Sequence, residues 1–309
     1  MGQGDSSFIV TPNEKRILID GGIGNKAFQF LVWRYRLELP DPEPVNIDLM
    51  VVSNADDDHL AGLISIVAHP LINVRQIIHS GIAKYNSGFS TVLGDTVGQG
   101  KNRLLVTRRN EVDDLAEVDL ISTMKRWRNA VRNEPGIIYR AVDSRVKSID
   151  IGDSAISLNV HGPRLVNQPS NGGIAYPWLG NPAKTVNGHS VVLRLDFHNI
   201  RVLITGDVND RGARHLMSDP EFAAEADAHV LKVPHHGSHE YDRRFLEAVH
   251  PQISIVSSGE APDHGHPRAD LLATIGNVSR SDQPILFSTE LLRSLPSTPM
   301  QQPQMPMTM

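Results

Sequence analysis

Four apolar runs in this chain each break off at residues able to hold a metal ion, and that recurrence constrains the fold more than any other feature. Ile47 to Val52 leads into Ser53-Asn54-Ala55-Asp56-Asp57-Asp58-His59, and Val202 to Ile204 into Thr205-Gly206-Asp207. Val230 to Val233 leads into Pro234-His235-His236-Gly237-Ser238, and Ile253 to Val256 into a segment ending His264-Gly265-His266-Pro267. Short β-rich runs bounded by Gly, Pro, Asp and Ser read as buried strands. The polar endings then gather at strand ends, where an α/β enzyme keeps its chemistry.

A close group of unpaired aspartates repels itself toward protonation, whereas divalent cations let every member stay ionised. Two such ions about 3.5–4 Å apart orient a substrate oxygen, lower the pKa of a bound water toward about 7 and stabilise the leaving oxygen. The residue types therefore point to metal-assisted hydrolysis.

The segment Asn54 to His59, NADDDH, resembles the HxHxDH signature of metallo-β-lactamase-fold hydrolases in its HxDxDH form. MGQGDS at 1–6, LIDGG at 18–22, NGHSVVL at 187–193, LITGD at 203–207 and LKVPHHGS at 231–238 resemble, in the same order, the hydrolase domain of ComEC-type competence proteins. The resemblance covers roughly residues 1–270. It implies a four-layer αββα sandwich with Asp56 in a first metal site, Asp58 and His59 in a second, Asp207 bridging both, and His235 or His236 completing the second. It also gives Asp58 the task of orienting or deprotonating the attacking water. Asn54 departs from the pattern, because an amide oxygen stands where a first-site imidazole belongs and is the poorer ligand. His189, in the NGHS segment, is the candidate replacement. Between the neighbouring histidines, His236 is favoured as ligand and His235 as the substrate-side group, with His266 able to reach a substrate phosphate. Restoring histidine at position 54 is expected to raise metal content. Relatives reach the MGQGD turn only after a first strand, so the chain as read lacks that strand and leaves an edge unpaired.

Each motif also has a plainer reading. Asp58, Asp207 and Ser238 each precede a helical pattern and suit helix N-caps. His161, His198, His229 and His250 lack motif context and read as surface or satisfied core residues, and Asp57 points to solvent by alternation. Gly94 to Lys101 has the wrong glycine spacing for a phosphate loop, and Asn102 stands where Ser or Thr is needed.

Composition fits a single hydrolase domain over 1–293. At 309 residues and 40% hydrophobic content the chain can bury a full core. Without cysteine, only oxygen and nitrogen ligands remain, which suits one or two ions of Zn²⁺ or Mn²⁺. A formal net charge of −5 offers no general polyanion surface. No apolar stretch approaches the roughly 20 residues that span a bilayer, which leads to the expectation of a cytoplasmic protein with no membrane partner. The Pro-, Gln- and Met-rich segment 294–309 is expected to be a disordered tail.

Two insertions are expected between the motifs. The first, about 84–148, carries an amphipathic helix with Leu115, Val118, Ile121, Met124, Trp127 and Val131 on one stripe and Lys125, Arg126, Arg128 and Arg132 elsewhere. The second, 164–187, brings Tyr176 and Trp178 toward the site, either to stack on a base or ring, or to pin the loop. The functional expectation is a hydrolase of a phosphoester or phosphodiester, with a phosphorylated small molecule or nucleic acid as partner. The alternatives are a hydrolase of another ester or amide, or a non-catalytic binding protein of the same fold. Oligomeric state is not legible in the sequence.

Overall fold

The computed structural model describes residues 4–169, 172–259 and 265–289. The expected tail beyond Ser294 and the loop residue His264 lie outside them. Two sheets face each other. The first runs β1 (Ser7–Val10), β2 (Arg16–Ile19), β3 (Leu49–Val52), β4 (Gln76–His79), β5 (Ile138–Ala141), with β1 antiparallel and the rest parallel. The second runs β6 (Ile156–Gly162), β7 (Val192–Phe197), β8 (Ile200–Ile204), β9 (Val230–Lys232), β10 (Ile253–Val256), β11 (Ile285–Ser288). Its first three strands are antiparallel neighbours and its last four are parallel. β1 is an edge of its sheet.

Strand alternation deals the apolar residues into three layers of core. Ile17, Ile19, Leu49, Val51 and Ile78 meet Leu158, Val160, Leu193, Leu195 and Ile204 between the sheets. The alternate residues Leu18, Met50, Val52 and Ile77 pack outward on α1 (Lys26–Tyr35), α2 (Asp57–Val67) and α3 (Ser122–Arg132) through Leu31, Leu60, Leu63 and Trp127. On the far side, after α4 (Pro182–Gly188), residues Val192, Leu203, Leu231 and Val256 pack against further helices. These are α5 (Asp210–Met217), α6 (Pro220–Glu225), α7 (Arg243–Val249) and α8 (Ala269–Val278), through Leu216, Phe222, Phe245 and Leu271. The result is the four-layer αββα sandwich. Strands buried on both faces explain why LMVV has no polar alternation.

Several local readings change. The run from Ile47 is not one strand: the side chain of Asp48 accepts from Arg16 N at 2.9 Å, and Val45–Ile47 pairs instead with Ile72–Val74. The helix expected from Leu115 starts only at Ser122, after a short 3₁₀ turn over Val112–Leu115, although Leu115, Met124, Trp127 and Val131 are all buried. The first insertion also supplies β5 to the main sheet. Its Leu104–Leu105 pairs with Ile174–Pro177 of the second insertion, so the two are one small sheet rather than separate loops. Tyr176 is fully buried and donates to Ser80 O at 2.7 Å, and Trp178 lies under the Arg103 guanidinium at 4.2 Å. Both rings pin the segment. On α3, Lys125 pairs with Asp119, Arg132 with Asp113, and Arg128 caps the carbonyls of Leu115 and Ala116.

The cap reading fails at all three motifs. Asn209 caps α5 by accepting from Arg211 N and Gly212 N, Asp242 caps α7 by accepting from Phe245 N, and α2 begins at Asp57 with Asp56 at its N-cap position making no capping bond from its side chain. Asp58, Asp207 and Ser238 are thereby released from helix capping. No helix among the described residues is long and apolar enough to cross a membrane.

Candidate metal centre

Asp58 and His59 sit in the first turn of α2, just past β3, while Asp207 follows β8 and His236 follows β9. Each offers one donor atom within 4.8 Å of the others. Asp207 is the hub: its Oδ2 lies 3.0 Å from His59 Nε2 and 3.4 Å from His236 Nε2. Asp58 Oδ2 is 3.1 Å from His236 Nε2.

The rear nitrogens decide what the front ones can do. Ser53 Oγ donates to Asp20 Oδ2 at 2.6 Å, so His59 Nδ1, 2.8 Å from that same oxygen, is its second donor. His236 Nδ1 donates to Ser257 O at 2.9 Å. A neutral ring with its proton on Nδ1 presents a lone pair at Nε2. Both Nε2 atoms, together with Asp207 Oδ1, are buried without a hydrogen-bond partner. Although the nitrogens lie at ion-pair distance from carboxylates, the facing lone pairs repel unless something positive stands among them.

The electrostatics say the same. Burial opposes a charged His59, yet Asp207 and Asp20 outweigh it and hold its pKa well above the usual range. His236 is pushed up to about 10 against burial, chiefly by Asp207. Asp207 is itself held well below the usual carboxylate range, burial notwithstanding, by His236 and His59. A divalent metal ion meets that demand through the lone pairs. Two imidazoles, each oriented by a bond from its other nitrogen, with carboxylates between them, fit such an ion.

The supporting backbone is tight. Gly21 N donates to His59 O at 2.7 Å, and a Cβ on Gly62 would lie 2.0 Å from Gly21 O, so only glycine lets α2 press its first turn against the loop after β2. Behind His59, the buried Lys232 pairs with Asp5 and donates to Gly206 O at 3.1 Å, which ties the segment before β1 and the loop after β8 to the end of β9.

His235 and His236 do not alternate as strand residues would. Both adopt left-handed backbone angles, φ 50° and 52°, in a turn ending at Gly237. A Cβ on Gly237 would lie 2.6 Å from Pro267 Cβ, so glycine also admits the His266 segment over the site. The turn directs His236 inward, while His235 lines the cavity with its Nε2 4.0 Å from Asp207 and its ring 5.8 Å from that of His266. The cavity, about 500 Å³, is walled by Asp56, Asp58, Lys84, Asn187, Asp207, His235, His236 and His266, with Ile23 and Ile121 as its apolar patches.

Two expected ligands are placed otherwise. His189 is fully buried at the end of α4, donates from Nε2 to Pro177 O at 2.8 Å and abuts the Tyr176 ring, so it does not replace the first-site imidazole. Asn187, two residues earlier, is the side chain of that motif that faces the cavity. Asn54 spends its amide oxygen on Asp56 N at 2.9 Å, closing a turn, and its nitrogen faces Ser190 Oγ at 3.4 Å. Asp56 does reach the cavity, where Lys84 contacts it; burial pushes its carboxyl up and Lys84 is the group that pulls against this. Lys84, Asn187, Asp20 and Lys232 were not picked out from the sequence. Asp20 and Lys232 lie within the quoted LIDGG and LKVPHHGS motifs, whereas Lys84 has no local signal.

The chain matches the Metallo-beta-lactamase superfamily over residues 1–259. ComE operon protein 3 of Bacillus subtilis (strain 168) is 23% identical over 302 residues, 92% of this chain and 31% of that protein. Competence protein ComA of Neisseria gonorrhoeae is 35% identical over 82 residues, 26% of this chain and 12% of that one. The chain thus spans less than a third of the length of either relative. Among solved structures, the metallo-beta-lactamase fold protein YhfI from Bacillus subtilis is 9% identical, covers 93% of this chain and 89% of its own, and gives a TM-score of 0.44. With a family match running over most of its length, this chain belongs to the metallo-β-lactamase superfamily.

Proposed function

We propose that the protein is a metal-dependent hydrolase of phosphoesters, with phosphodiesters of the nucleotide or nucleic-acid kind as the preferred class. The observation that carries this reading is the pair of unpartnered imidazole nitrogens converging on Asp207 at the wall of an open cavity. When bound, a divalent ion supplies Lewis acidity and an activated water. The residues around it supply the rest. Asp58, in the first turn of α2 and facing the cavity, orients the attacking water and accepts its proton. His235, whose pKa is lowered by burial, offers a neutral ring beside the bound substrate. Lys84 gives the rim one cation, and Asn187, His235 and His266 give it hydrogen-bonding groups suited to phosphoryl oxygens, beside the acids Asp56 and Asp57.

Assaying the metal-loaded protein on bis(p-nitrophenyl) phosphate beside a carboxylic ester and a lactam tests this reading. Diester turnover is expected to exceed both of the others, and the reverse order would remove the phosphoester assignment. Two alanine variants test the roles within the site. His236→Ala is expected to lose the ion and activity together, while His235→Ala keeps its ion and loses rate by about 10²–10⁴-fold. Equal ion retention in both variants would take His236 out of the ligand set.

A further inference from the structure

We propose that Lys84 is the resident cation of the first metal position, so that the centre runs on a single divalent ion and the lysine ammonium binds an anionic oxygen of the substrate. The proposal rests on the hydrolase reading above and specifies its working parts.

The first position lacks the donors an ion needs. Asn54 Oδ1 already accepts from Asp56 N, and His189 Nε2 already donates to Pro177 O. Asp56 is the remaining acid of that position, and its Oδ1 is in contact with Lys84 Nζ. Catalytic sites for such ions take about three protein ligands. Among the described residues the donors left are Asp207, a carboxylate already in contact with an ammonium and the neutral amide oxygen of Asn187, and this set fits a second divalent ion poorly.

Lys84 is held there by tertiary structure. Its carbonyl accepts from Ile121 N at 3.2 Å, just ahead of α3, and the next residue, Tyr85, is fully buried and donates from its backbone to Val92 O at 2.8 Å. The side chain lines the same cavity as Asp58, Asp207 and His235. An ammonium carries three donors and one positive charge. One donor is engaged by Asp56, which fixes the group, and the others are free to meet a phosphoryl oxygen. A lysine supplies charge and hydrogen bonds without the Lewis acidity that a divalent ion held by His59, His236 and Asp207 would supply.

This changes the expectation for histidine at position 54. With Lys84 in place, Asn54→His adds a donor but opens no room for an ion. The test is metal analysis of protein stripped, reloaded with Zn²⁺ or Mn²⁺ and desalted. Wild type and Asn54→His are each expected to hold one ion per chain, and Asn54→His combined with Lys84→Ala to hold two. In calorimetry of the loaded protein with inorganic phosphate, Lys84→Ala is expected to keep its single ion and bind phosphate about ten-fold more weakly or worse, with Lys84→Arg retaining much of the affinity. Thermal unfolding of each variant checks that it is folded, and the phosphate comparison stands if the double variant is not. Two ions in the wild type, or unchanged phosphate affinity in Lys84→Ala, would overturn the lysine proposal and leave the hydrolase reading intact. A wild type that takes up no ion would overturn both.

Discussion

Asp207→Ala is expected to strip the protein of its ion and to lower hydrolytic turnover by more than about 100-fold, beyond the 10–100-fold that changes to the outer partners of a ligand cost. Asp207 approaches both His59 and His236 through one oxygen, at 3.0 and 3.4 Å, and is more buried than Asp58, which also reaches both rings. Removing it leaves two imidazoles with their rings 5.4 Å apart and, of the four grouped donors, Asp58 as the remaining carboxylate. Asp207→Asn separates charge from shape: the side chain still fits, but a neutral amide no longer balances a divalent ion, so metal content should fall there too. Metal analysis after desalting reads both variants. Wild-type ion content in Asp207→Ala would remove Asp207 from the ligand set and with it the centre as drawn.

Gly62→Val is expected to have the largest effect on stability, about 3 kcal/mol, at the upper end of what overpacking costs. The new Cβ would lie 2.0 Å from Gly21 O and 2.6 Å from Gly21 C, which is backbone against backbone and has no flexible side chain to yield. α2 must therefore lift off the loop after β2, and Asp58 and His59 move with it. Loss of ion binding should accompany the loss of stability. Urea unfolding of the ion-free protein measures the first and metal analysis the second. A midpoint equal to that of wild type would show that the helix does not need this approach.

The layered fold was readable because strand periodicity is local. Ile17, Leu18 and Ile19, or Leu49 to Val52, are apolar at every position because both faces of each strand are covered, and the breaks at Asp, Gly and Pro mark their ends. The strand-end donors Asp58, His59, Asp207 and His236 were readable for the same reason. They lie next in the chain to the runs that carry them, so fixing the strand largely fixes the side chain.

Other features were decided only by packing. The Asn209 and Asp242 caps displaced Asp207 and Ser238 because the helices begin two to four residues later than their apolar patterns suggest. The left-handed turn at His235 and His236 depends on how closely Gly237 meets Pro267. His189 is turned to the core by Pro177 and Tyr176, from a segment that looked like a loop until it paired with Leu104–Leu105. Lys84 lies 28 positions beyond Asp56 in the chain, and the main chain that brings them into contact is fastened at Lys84 to Ile121 and at Tyr85 to Val92. By itself the sequence determined the layers and the donors at the strand ends, since alternation and strand breaks act over a few neighbouring residues. Which atoms already have partners was decided by the tertiary structure, because those partners come from segments that only folding brings together.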